Sequence, residues 1–240
     1  MRSGNPALRG AIFESAVPGA GGRVMTIQGT ANKTIVLLLL VTISASWMWR
    51  LGQAALPYIL PAAVVGLVVA MVTIFKKEIA HITAPIYALV QGVVLGGISS
   101  VFEVQYPGIV IQAVALTFGT LFCLLLAYKS GIIKVTDKFR LGIVAATGAI
   151  ALIYFISIIL GFFGASIPMI HSAGPVGIMF SLFVVTIAAL NLVLDFDFIE
   201  RGAQANAPQY LEWYGAFGLI VTLVWLYLEI LRLLAKLQRR

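Results

Sequence analysis

Long apolar runs separated by short polar stretches dominate the chain, and their spacing predicts seven helices. Crossing the hydrocarbon core of a bilayer takes roughly 20 predominantly apolar residues. Runs of that length fall near 31–49, 55–75, 82–102, 108–128, 141–163, 175–196 and 211–234. The breaks between them, such as "RLGQA", "KKEIAH" and "EVQYP", are short, so successive helices are expected to pack as antiparallel neighbours. Trp47, Trp49, Tyr58, Tyr128, Trp213 and Tyr214 fall at or near the expected helix ends, where amphipathic rings settle at headgroup level. The predicted fold class is an all-α integral membrane protein, with one seven-helix transmembrane domain over 31–237. Residues 1–30 hold Gly, Pro, Ser and three arginines but no long apolar run. They read as a flexible basic N-terminal tail, neither a signal peptide nor a span.

Composition agrees with that solvent: 61% of residues are hydrophobic, 10% are charged and the mean hydropathy is +1.04. A net charge of +7 in such a chain marks cytoplasmic loops and gives no reason to expect nucleic acid as a partner. With seven crossings, eleven of the sixteen Lys and Arg residues fall on the side of the amino terminus. The amino terminus is therefore expected in the cytoplasm. The basic tail with Arg232, Lys236, Arg239 and Arg240 then lies on the opposite side, and only a re-entrant segment would bring it back. The single cysteine, Cys123, admits no intramolecular disulfide and is expected to be buried among apolar neighbours.

Polar residues inside these runs are the candidates for chemistry. Gly92, Gly96 and Ser100 recur every fourth residue of the third helix, a face on which backbones can approach closely in lipid. Gln91 beside them reads as an interhelical hydrogen bonder. The seventh helix carries a similar stripe of Glu212, Gly215, Gly218, Thr222 and Glu229. Glu229 with Arg232 three residues on reads as a snorkelled ion pair near the helix end. In "LNLVLDFDFIERG", Asp197 and Arg201 stand at i and i+4 with the acid first, the favourable order for an interfacial ion pair, and Glu200 reads as a solvated acid.

Asp195 lies on a different face, with Asn191 one turn before it and Ile199 one turn after. An intramembrane carboxylate normally faces the bundle interior, so Asp195 is the leading functional candidate. If the sixth and seventh helices form a hairpin turning in "GAQANAP", Glu212 comes level with Asp195, and two acids sharing one site make it proton-sensitive. The alternative is that Glu212 serves the dipole of its own helix. No catalytic residues are expected. His81 and His171 fall near helix ends on opposite sides without a positioned partner, and no cluster of ligands calls for a catalytic metal.

The segments "YALVQGVVLGGISSVFE", "LDFDFIERGA" and "EWYGAFGLIVTLVWLYLEILRLL" together resemble the transmembrane Bax inhibitor motif family, the YccA-like membrane proteins of bacteria. The resemblance implies a central last helix wrapped by two layers of three helices, and residence in a bacterial inner membrane. It also implies a pH-sensitive calcium leak gated by an aspartate pair between the sixth and seventh helices. Asp195 matches the first member of that pair, whereas Thr222 stands where the second is expected, and Gln91 stands where many relatives carry Glu. The expected function is a cation leak with Asp195, Asn191, Glu212, Thr222, Gln91 and Glu229 as its gate or cation site. Asp195 would hold calcium weakly, and no other cofactor is expected. The expected partners are the lipid bilayer and calcium or protons. The other reading is a non-conducting regulator that binds another membrane protein, such as a protease or a channel.

Overall fold

The computed structural model describes residues 23–164, 172 and 174–239. These form seven long helices: α1 (Ile27–Arg50), α2 (Leu56–Phe75), α3 (Ala80–Gln105), α4 (Ile109–Lys129), α5 (Asp137–Phe162), α6 (Pro175–Gln204) and α7 (Tyr210–Gln238). All seven are long and apolar enough to cross a membrane. The chain is thus a multi-pass membrane protein.

The ends of the helices are set by local chemistry. The Thr26 hydroxyl accepts from the Gly29 amide and caps α1, and Thr136 does the same for α5 through Phe139. The carboxylate of Glu103, from the last turns of α3, accepts from the amides of Gly108 (2.6 Å) and Val110 (3.2 Å) and so caps α4. Gly108 takes a φ of +85° there, a conformation that a side chain would strain. Asn206, at φ +50°, turns the chain between α6 and α7, as Asn tolerates the left-handed region better than most residues.

α7 is the most deeply buried helix, with two-thirds of its apolar window inside the protein, whereas only about a tenth is buried in α2 and α5. It packs against α1, α3, α4 and α6. Tyr214, Phe217, Ile220 and Leu226 on α7 join Leu37 of α1, Ile109 of α4 and Leu192 of α6 in the main core. A smaller core, with Ile143, Ile150, Val184 and Leu194, joins α5 to α6. Large apolar side chains remain exposed on the outer faces, including Leu60, Phe75, Phe122, Leu126 and Phe155, where a bilayer replaces water as their solvent.

Several boundaries and environments differ from the sequence expectation. α1 begins at Ile27 rather than near 31, and the residues before it are tied down. Met25 is buried, its amide donates to the Ala207 carbonyl (2.6 Å), and Val24 pairs with Pro208. Residues 1–22 of the expected tail lie outside the described residues. α6 continues through its charged end to Gln204, because neighbouring helices supply partners for those charges. Cys123 is exposed on the outer face of α4, not buried, since α4 turns a different side toward α7. Tyr214, expected at an interface, is fully buried in the core.

Candidate functional site

The α6–α7 hairpin organises the polar residues, and its register follows from three contacts. The Phe198 ring lies 6.2 Å from that of Tyr214, Ile199 packs on Gly215, and Lys236 donates to the Gly177 carbonyl at 3.0 Å. These antiparallel pairs place Asp195 level with Gly218, Asn191 with Thr222, and Glu212 with Gly202. On the helical wheel Asp195 falls between Phe198 and Ile199, so it belongs to the face of α6 that packs on α7. It is 2% exposed and sits nine residues before the end of α6, roughly 13 Å along the axis at 1.5 Å per residue.

The remaining candidates do not gather around it. Glu212, expected level with Asp195, is offset by six residues of α7, about 9 Å along the axis. Its carboxylate turns toward α1, where it forms an ion pair with Lys33 and accepts from both the amide and the hydroxyl of Thr26 (2.9 Å each). Gly29 leaves space for that carboxylate: a side-chain carbon at its position would force Glu212 to shift. The negative charge therefore serves the start of α1 as well as that of its own helix, in whose first turn it stands. Asn191 reaches the other way, donating to Thr147 of α5 and to the Ile187 carbonyl (2.8 Å each). Gln91 is half-buried, with its side-chain oxygen against Gly66 of α2. Thr222 is buried on α7 one turn beyond Gly218.

Glu229 is buried near the far end of α7 and is bound by Arg232, whose guanidinium donates to both carboxylate oxygens (2.8 and 2.9 Å). Tyr154 of α5 completes the arrangement, donating to Glu229 (2.9 Å) and accepting from Arg232 (2.7 Å). The expected pair is present, and α5 locks it.

The other acids of "LNLVLDFDFIERG" each bind a different helix. Asp197 accepts from Arg201 (2.9 Å) as its spacing predicts, and also from Arg140 of α5 at 2.6 Å. The Asp197 and Arg140 side chains are 11% and 9% exposed, so this is a buried link rather than an interfacial pair. Glu200, expected to be solvated, is half-buried and accepts from the Tyr128 hydroxyl of α4. The small residues act as packing positions. At Gly92 a side chain would collide with Ser44 and the Val41 carbonyl of α1, and at Gly96 with the Ala45 carbonyl. Ser100 donates to the Gly97 carbonyl (2.8 Å), a side-chain carbon at Gly215 would stand 3.3–3.6 Å from Ile199, Thr30 and Met25, and Gly218 is buried.

Reading the sequence missed Lys33, Arg140, Tyr128 and Tyr154 as partners of these acids, because each lies more than fifty residues away along the chain and spacing within one helix carries no trace of it. Lys236, expected in the basic tail, is instead a buried lysine whose ammonium donates to Ser181 at 2.8 Å. Of the two histidines, His81 lies exposed at the start of α3, 3.1 Å from the Glu78 carbonyl, and His171 falls outside the described residues. Among the described residues, no three His, Cys, Asp or Glu side chains lie together as a metal site would need.

No curated protein and no solved structure matches the chain. The family model described as Bax inhibitor 1 like matches residues 5–239. That is nearly the whole chain, all seven helices included, and the protein therefore belongs to the Bax inhibitor 1 like family.

Proposed function

We propose that this protein is a pH-sensitive cation leak, with calcium as its chief ion and Asp195 as its protonatable gate. The observation that carries the reading is a carboxylate 2% exposed at the α6–α7 contact, well inside a spanning helix. Ionisable side chains at such depth are costly and mark ion or proton pathways by default. Opposite Asp195 stands Gly218, which brings no side chain to the contact, and Thr222 lies one turn beyond. Oxygen donors of this kind suit a hard cation, and their small number suits a leak, since conduction requires that ions depart as readily as they arrive. Glu212 and Glu229 are engaged by Lys33 and Arg232 toward the two ends of α7, so the gate is assigned to Asp195 without them. Leu192, Phe217 and Ile220 fill the surrounding core, a packing that belongs to the closed form. Opening then consists of a separation of α6 from α7.

The test is calcium flux from pure protein in liposomes across a pH series. Asp195→Asn, which carries no titratable group at this position, is expected to give a flux that no longer follows pH where the wild type does. Identical pH profiles in the two proteins would sink the assignment.

One observation favours the regulator reading. Gly142 and Gly148 each meet open space on α5, on different sides of the helix, and a small residue on an outward side admits close approach by another membrane helix. Co-purification of one stoichiometric membrane partner, with no flux from the protein alone, would support that reading over the leak.

A further inference from the structure

Between α1 and α4, which both pack on α7, lies a groove of about 530 Å³, within the size range of ligand pockets. Its walls include Val41, Thr42 and Ala45 of α1, Val114 and Phe118 of α4, and Leu223 of α7 at the floor. The polar groups on its wall are largely satisfied within the protein. Ser99 and Tyr227 share a hydrogen bond of 2.6 Å, and the hydroxyls of Thr42 and Thr117 return to the carbonyls of their own helices. The groove therefore presents an apolar surface at the depth of the membrane.

Its length and its end identify an occupant. Along α1 it runs from Leu38 to Arg50, roughly 18 Å at 1.5 Å per residue. One leaflet's share of a hydrocarbon core is about 15 Å. Arg50 closes the groove at the last turn of α1, beside Trp49, where the helix leaves the hydrocarbon. Among the described residues no carboxylate forms a salt bridge with Arg50.

We propose that the groove binds an anionic phospholipid, one acyl chain lying between α1 and α4 and the phosphate meeting the Arg50 guanidinium. An apolar slot open to hydrocarbon is filled by a chain, and a guanidinium at its mouth pairs with a phosphate in bidentate geometry. The site is separate from Asp195 and does not depend on the leak reading.

The test uses the full chain in nanodiscs containing phosphatidylglycerol with a diazirine on one acyl chain, and in a second set the phosphatidylcholine analogue. Photolysis is expected to label α1 and α4 along the groove more heavily than the outer faces of α2 and α5. Thr42→Trp and Val114→Trp, made separately from opposite walls, should each reduce groove labelling while the melting temperature holds. Arg50→Gln should lower labelling by phosphatidylglycerol about fivefold, equivalent to ~1 kcal/mol for one basic side chain near an anionic headgroup, and lower labelling by the phosphatidylcholine analogue, whose phosphate is offset by choline, by less. Even labelling over all outward faces, or groove labelling indifferent to both tryptophans, overturns the chain site. Undiminished labelling by phosphatidylglycerol in Arg50→Gln overturns the phosphate contact, and an equal loss for the two lipids overturns the preference for an anionic one.

Discussion

Arg140 and Arg201 both reach Asp197, but their surroundings differ. Arg140 is 9% exposed and Arg201 35%. Losing Arg140 leaves the buried Asp197 only the more exposed Arg201, a cost that approaches the roughly 3–5 kcal/mol of an unpaired buried charge, whereas the more exposed i,i+4 contact contributes closer to the ~0.3–0.5 kcal/mol of a surface helix pair. Arg140→Met is therefore expected to lower the melting temperature in detergent by much more than Arg201→Met. Equal losses would show that Asp197 is not the buried link between α5 and α6. Of these two contacts only Arg201 was legible in the sequence, because helical periodicity reaches four residues and Arg140 stands fifty-seven away. The same limit hid Lys33 from Glu212 and Tyr154 from Glu229. Asp195 was legible because lipid depth can be read from a run of apolar neighbours, a property of the segment itself.

The contact between α1 and α3 tests the role of the small-residue face. Ser44 donates to the Leu89 carbonyl at 2.8 Å, so the two backbones lie close enough for a side chain to bridge them. At Gly96 a side-chain carbon would meet the Ala45 carbonyl and come within 2.8 Å of the Met48 side chain. Backbone cannot yield as a flexible side chain does. Gly96→Val should cost at least the 1–3 kcal/mol typical of an overpacked core, read as a clear drop in melting temperature or in the yield of folded protein. Gly215→Ala should cost far less, since the added carbon would stand 3.3 Å or more from its neighbours. If both variants melt alike, close approach at Gly96 does not hold α1 to α3. The four-residue spacing announced such a face, but only packing showed that α1 is its partner and that Gln91 faces α2.

At the scale of the molecule, the placement of charges around seven spans predicts an orientation. Ser130, between α4 and α5, and Gln53, between α1 and α2, are both exposed and fall at opposite ends of the bundle. In a Cys123→Ser background, a cysteine at position 53 should react with a membrane-impermeant maleimide on intact cells, and one at position 130 only after lysis. The reverse pattern would put the amino terminus outside. Such an orientation places the Glu212 and Asp197 networks near the cytoplasmic face and the Glu229 network near the other.

The sequence by itself determined the solvent, the number of helices and the family, because span length and apolar composition are local properties that each segment declares alone. It also singled out Asp195, since an acid within a span has few inexpensive places to be. Tertiary structure alone decided which acid meets which cation. The α6–α7 register set Asp195 opposite Gly218 and turned Glu212 away to Lys33, through contacts between residues far apart in the chain that no periodicity within one helix encodes. Packing likewise decided that Tyr214 lies in the core, that Cys123 faces outward and that a groove stays open between α1 and α4. Each of these depends on which side a helix turns to its neighbours, and for helices apolar on nearly every face that choice belongs to the assembled bundle.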